Sequence, residues 1–286
     1  MEMKFCLFGG VEAWADGARL DLGHARQRGV LAVLLVDVSR SVSDDRLIER
    51  VWGGQSPLRA ESVVRTYMSR LRSALGAAAA LSRRNGGYVL DAEPDDIDLH
   101  RFRKLMLRAR RLDDEPALRA VEEALALYRS DVLPELDTPW ANEMRLALGV
   151  EHAAARAHRI DVALRLGQHA DVLADLHVRA AADPLDERLA GQLVLALHRA
   201  GRTADALIHY QRTREVLVDQ LGVEPGPQLR QVHHDVLAAG SGSSTTPFRP
   251  TRSVPRQLPA LPPTFTGRDR ELSAMNLLLR RDGGHT

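Results

Sequence analysis

At 286 residues the chain exceeds what one hydrophobic core usually fills, so two domains are expected. Apolar residues at 44% and charged residues at 27% exclude a largely disordered chain, and a net charge of +1 excludes a protein that coats nucleic acid by bulk charge. Cys6 is the only cysteine, which excludes an internal disulfide and every multi-cysteine metal site.

Lys4 to Trp14, with Phe5, Leu7 and Val11 around Gly9-Gly10, reads as a strand with a glycine break. Arg19 to Leu22 reads as its partner after the Asp16-Gly17 turn. Arg26 to Val38 carries apolar residues at helical spacing. Its run from Val30 to Val36 is the longest apolar stretch, far short of the ~18 residues that cross a bilayer. The first ten residues lack a signal-peptide pattern, so no membrane and a cytoplasmic location are expected. Ser43-Asp44-Asp45 reads as the capped, acidic start of a helix over Arg46 to Trp52, which Gly53-Gly54 ends.

Ser56-Pro57 reads as the cap and first position of a third helix. The inward stripe of that helix is Val64, Met68, Leu71 and Leu75, at steps of four, three and four. Burying the stripe leaves Ser62, Arg65, Thr66, Ser69, Arg70 and Arg72 outward, with no acid after Glu61. Leu81 to Arg84 and Tyr88 to Leu90, joined by Asn85-Gly86-Gly87, form a hairpin. Between Arg40 and Leu90 nine arginines stand against four acids, a local basic face inside a neutral chain. Strand pair, three helices and hairpin are the wiring of a winged helix-turn-helix. Trp52 reads as core, and Trp140 as a helix-packing anchor.

From Leu99 to Ala239 the pattern is helical, with prolines at 116, 134, 139, 184 and 225 marking ends or first turns. Leu166-Gly167 and Ala200-Gly201 recur 34 residues apart, the period of a tetratricopeptide repeat. Asp183-Pro184 and Glu224-Pro225 recur 41 apart, so the repeat is degenerate. Residues 1–95 are therefore expected to form an α+β winged helix, and 98–240 an all-α tetratricopeptide-like domain. Residues 241–263 read as a Gly/Ser/Pro linker, and 264–286 as the start of a further module.

Five stretches of the first region carry a resemblance: Lys4-Phe-Cys-Leu-Phe-Gly9, His24-Ala-Arg-Gln-Arg28, Asp45-Arg-Leu-Ile-Glu-Arg-Val-Trp52, Met68-Ser-Arg-Leu-Arg-Ser-Ala-Leu-Gly76 and Gly86-Gly-Tyr-Val-Leu90. They resemble the Streptomyces antibiotic regulatory protein family. Asp98-Leu-His-Arg-Phe102, Leu136-Asp-Thr-Pro-Trp-Ala141 and Leu221-Gly-Val-Glu-Pro-Gly226 resemble its bacterial transcriptional activation domain. The resemblance implies an OmpR-type winged helix that binds double-stranded DNA with direct repeats as a homodimer and recruits RNA polymerase holoenzyme. It implies activation of an antibiotic or other secondary-metabolite gene cluster. By position, Arg70 matches the family's base-contacting arginine and Arg84 its wing residue in the minor groove. The middle of the helix, Val63 to Tyr67, departs from the commonest family wording, which leaves the bases open.

The candidate DNA-binding set is thus Arg59, Ser62, Arg65, Thr66, Ser69, Arg70, Arg72, Arg83 and Arg84. The loop carrying Gly53, Gly54, Gln55 and Leu58 is the candidate polymerase contact. Phe265-Thr-Gly-Arg-Asp-Arg-Glu-Leu272 resembles the opening of an NB-ARC ATPase module. A phosphate loop needs a Gly-Lys-[Ser/Thr] end, and no lysine follows Lys104, so no nucleotide or other cofactor is expected. The eleven histidines fall in no metal-binding frame, and no nucleophile elbow is present, so neither metal nor enzyme activity is expected. The alternative is a helical scaffold or sensor module of a larger signalling ATPase.

Overall fold

The computed structural model describes residues 2–76, 79–130 and 132–242; the linker and module expected over 241–286 lie almost wholly outside them. Residues 1–241 form one compact unit.

The unit starts with a three-stranded antiparallel sheet, β1 (Met3–Cys6), β2 (Glu12–Ala15) and β3 (Ala18–Arg19). The Asp16-Gly17 turn falls where expected, and both of its residues take positive φ. Helix α1 (Ala25–Val36) buries Val30 through Leu35. Helix α2 (Asp44–Trp52) is capped by Ser43, whose hydroxyl accepts the Arg46 N–H at 3.3 Å, and Asp44 and Asp45 lie in the first turn, where the helix dipole favours them. Helix α3 spans Ala60–Leu75. The Ser56-Pro57 start is corrected: the Ala60 N–H bonds back to the Pro57 carbonyl, so Pro57 opens a separate turn and α3 begins three residues later, after Arg59.

Strands β5 (Ala80–Arg84) and β6 (Gly87–Asp91) form the hairpin, and the two-residue strand β4 (Val42–Ser43) joins β6 to give the sheet order β4-β6-β5. The turn is Asn85-Gly86 alone, both at positive φ as a tight hairpin requires. Gly87, expected in the turn, belongs to the strand and pairs with both Arg84 and Ser43. A Cβ there would sit 2.5 Å from the Val42 carbonyl oxygen, so β4 can approach only a glycine.

After a short 3-10 turn (Pro94–Asp96) the described residues form seven further helices: α4 (Asp98–Ala109), α5 (Asp114–Leu127), α6 (Pro139–Arg165), α7 (His169–Ala182), α8 (Glu187–Arg199), α9 (Thr203–Leu221) and α10 (Pro227–Gly242). The 34-residue recurrence marks two helix hairpins, α6/α7 and α8/α9. Each first helix ends on a glycine at φ 78°, Gly167 or Gly201. The next amides, of Gln168 and Arg202, reach back 2.9 Å to the carbonyls of Ala163 and Leu197. Both ends are Schellman caps, in which glycine relieves the left-handed residue of its Cβ clash.

One apolar core runs from β1 to α6 across the expected boundary at 95–98. Phe8 packs edge-on against Phe102 of α4 at 5.5 Å and against Tyr128 at 4.8 Å. Asp98, buried at the start of α4, accepts the Leu7 N–H at 2.9 Å, the Phe8 N–H at 3.0 Å and the Leu99 N–H at 2.7 Å. Burial pushes its carboxyl above the usual carboxylate range despite these donors. Thr138 caps α6 and donates its hydroxyl to the Arg50 carbonyl of α2 at 2.8 Å. Trp140 lies in the same junction, with the Arg50 guanidinium 5.4 Å above its ring. A second core fills the space among α6 to α10.

Candidate nucleic-acid interface

The stripe Val64, Met68, Leu71 and Leu75 is buried, so α3 can present only its opposite face. Tyr67 fixes the rotation of the helix: it stacks on Trp52 of α2 at 6.1 Å and meets the His24 ring edge-on at 4.9 Å. Arg59, Ser62, Arg65, Thr66, Ser69 and Arg70 are all exposed. The Thr66 hydroxyl donates to the Ser62 carbonyl one turn back, at 3.0 Å, which holds both short side chains close to the backbone. Arg59, Arg65 and Arg70 have no ion pair among the described residues. Three exposed guanidiniums without an ion pair, at the start and along the outer face of α3, make this surface locally cationic.

The other three candidate arginines are engaged inside the protein. Arg72 donates from Nε to the Leu81 carbonyl at 2.7 Å, and its guanidinium lies 5.9 Å from the Tyr88 ring. Arg83 lies 5.2 Å from the same ring and pairs with Asp44 of α2 at 2.8 Å. Tyr88, buried on β6 directly opposite Arg83, is thus flanked by two cations. The stack ties the hairpin to α2 and α3. Arg84, next to the turn, is exposed and pairs with Asp91 at 3.0 Å. Asp44 and Tyr88 were absent from the candidate set. The three-residue turn expected over Asn85-Gly86-Gly87 would set Tyr88 against Arg84; the two-residue turn shifts the register and puts it opposite Arg83, and nothing local pointed to Asp44, 39 residues away in sequence.

The loop between α2 and α3 holds the other candidates. Leu58 is fully exposed, at 107% of its reference surface, and Gly54, Gln55 and Ser56 are exposed beside it. Gly53 differs. It is half-buried at φ 58°, and a Cβ on it would meet Pro139 of α6 at 3.2 Å, so it makes the turn against α6.

Among the described residues no three His, Cys, Asp or Glu side chains could hold a metal ion, and no helix is long and apolar enough to cross a membrane. Cys6 is half-buried, and burial raises its thiol pKa, away from the reactive thiolate.

A helix with a basic outer face, set by two preceding helices and flanked by a braced hairpin, is the architecture of a winged-helix transcription regulator. The comparisons agree in both halves: residues 19–90 match the family of transcriptional regulatory protein C-terminal domains, and residues 97–237 match the bacterial transcriptional activator domain. Regulatory protein AfsR of Streptomyces coelicolor is 37% identical over 95% of this chain, which spans only 28% of AfsR. Regulatory protein DnrI of Streptomyces peucetius is 30% identical over 84% of this chain and 94% of its own length. The structure of Mycobacterium tuberculosis EmbR in complex with a low affinity phosphopeptide is similar at a TM-score of 0.78 and 30% identity, covering 83% of this chain and 65% of that one. The chain belongs to the Streptomyces antibiotic regulatory protein family of transcription regulators.

Proposed function

We propose that the chain activates a secondary-metabolite gene cluster by binding tandem direct repeats beside a promoter, two copies head to tail, and recruiting RNA polymerase holoenzyme. The reading rests on the exposed, unpaired arginines of α3 in a winged-helix frame. Arg59, Arg65 and Arg70 contact phosphates and base edges, with Ser62, Thr66 and Ser69 adding short polar contacts. Arg84 reaches the minor groove from the wing tip. Arg72 and Arg83, bound to the Leu81 carbonyl and to Asp44, hold the wing at its angle to α3 rather than contacting DNA. The exposed loop at Gly54, Gln55 and Leu58 meets polymerase, with an apolar side chain at its tip.

Band-shift titrations on promoters near the gene test this. With about three phosphate contacts per protomer, a bound pair should give a slope of about −5 in log K against log salt. Adding half a helical turn between repeats should abolish joint binding of the two copies. A flat salt response overturns the DNA reading, and indifference to the insertion overturns the tandem arrangement. Arg70→Ala should cost about 1 to 3 kcal/mol on the operator and narrow the gap to random DNA.

A further inference from the structure

Helices α6, α8 and α10 line a half-open cavity of about 640 Å³, within the size range of small-molecule sites. Its apolar walls are Leu164, Leu195, Leu229 and Val232. Gly191 opens it from the middle of α8. A glycine inside a helix is unfavourable relative to alanine, and here packing does not require it. A Cβ would lie 3.7 Å from Leu229 and 3.9 Å from Val232, ordinary contact distances, so the glycine preserves space rather than avoiding a clash.

Among the charged groups around the cavity one cation stands apart. Arg165, Arg188 and Arg199 line it with Asp161 and Glu187, and Arg165 is taken up by Asp114 of α5 at 2.7 Å. Both carboxylates are engaged: Asp161 with Arg188 at 2.6 Å and with the Gln192 side-chain amide, Glu187 with the Gly226 N–H that opens α10. Arg199 has no carboxylate partner among the described residues and bonds only the Leu164 carbonyl at the end of α6. Gln192, buried and lining the cavity, turns its NH₂ to the Ala157 carbonyl at 2.8 Å and to Asp161, which fixes the amide orientation and leaves Oε1 a buried acceptor without a partner. We infer that the cavity among α6, α8 and α10 binds a small amphipathic acid, its apolar body against Leu195, Leu229 and Val232 beside Gly191 and its anionic head at Arg199. This site is independent of the DNA-reading face and stands or falls apart from it.

The test uses the full chain and the fluorescent anion 8-anilinonaphthalene-1-sulfonate, titrated at neutral pH. One saturable site is expected, retained in Gly191→Ala and lost in Gly191→Leu, whose side chain occupies the space. Leu195→Trp blocks the same cavity from another position and serves if Gly191→Leu fails to fold, with far-ultraviolet circular dichroism and the thermal melt as folding controls. Arg199→Gln should weaken binding about tenfold. Decanoate should displace the probe at least tenfold more effectively than decylamine, because the site selects the head by its charge. Probe binding that survives both blocking variants shows adsorption elsewhere and overturns the inference, as does equal displacement by the acid and the amine.

Discussion

Replacing Asp44 with asparagine decides whether Arg83 holds the wing or holds DNA. The ion pair spans 2.8 Å with side chains 50% and 19% exposed, so solvent screens it and its worth is about 0.5 to 1 kcal/mol. The substitution keeps the shape of the side chain and removes its charge. If the wing must be ordered before it can dock, about 1 kcal/mol lost from that order weakens operator binding roughly fivefold. If Arg83 instead contacts phosphate, removing a neighbouring negative charge strengthens binding, so the two roles predict opposite signs. Fluorescence anisotropy on labelled operator at fixed salt reads the sign directly. A salt series on Arg83→Ala gives a second reading: a brace leaves the slope unchanged, whereas loss of a phosphate contact reduces it by about 0.9 per protomer, about 1.8 for the bound pair. Tighter binding by Asp44→Asn, or that reduction in slope, would refute the bracing role.

Other substitutions probe the frame. Gly87→Ala must displace β4 from β6 and should lower the melting temperature by several degrees while displacing the wing; an unchanged melt would show that the 2.5 Å approach relaxes freely. Asp98→Ala strands the buried amides of Leu7 and Phe8 and should cost about 2 to 4 kcal/mol in urea unfolding; a loss under 1 kcal/mol contradicts the stitch described above. Burial lowers the pKa of His152, His158, His209 and His233, and nearby Arg156, Arg165, Arg212 and His234 add to this, while Asp161 opposes it at His158. The unfolded chain therefore takes up protons first. Stability held above about pH 6.5 should fall as pH drops through that value, with Asp98 acting in the opposite direction at lower pH. A melting temperature that is flat or rising between pH 7.5 and 5.5 would contradict these assignments.

How much was legible depended on the range of the signal. The buried stripe of α3 follows from side-chain period, and the caps at Ser43, Gly167 and Gly201 follow from chemistry within one turn of the chain. Strand β4 was missed because two residues carry no period, and it exists only because Gly87 lets it approach. The start of α3 was misplaced because Pro57 satisfies a helix start and a turn equally well. The largest gap concerned the site itself. Exposed arginines look alike in sequence, and only long-range geometry separates Arg70, which is unpaired, from Arg72 and Arg83, which are bound to Leu81 and Asp44.

The stitch at Asp98 and the Phe8–Phe102 contact also bear on how the reader can be used outside its own chain. Cutting at residues 95–98 would strip the partner surface from Phe5, Leu7 and Phe8, all buried in the intact protein, and leave two amides without their acceptor. The DNA reader is therefore not a portable cassette: grafted onto another effector it would arrive with an exposed aromatic face, prone to aggregate before it meets an operator. A graft needs at least α4 and α5, which carry Phe102 and the stretch leading to Tyr128, so the smallest transferable unit ends beyond residue 128.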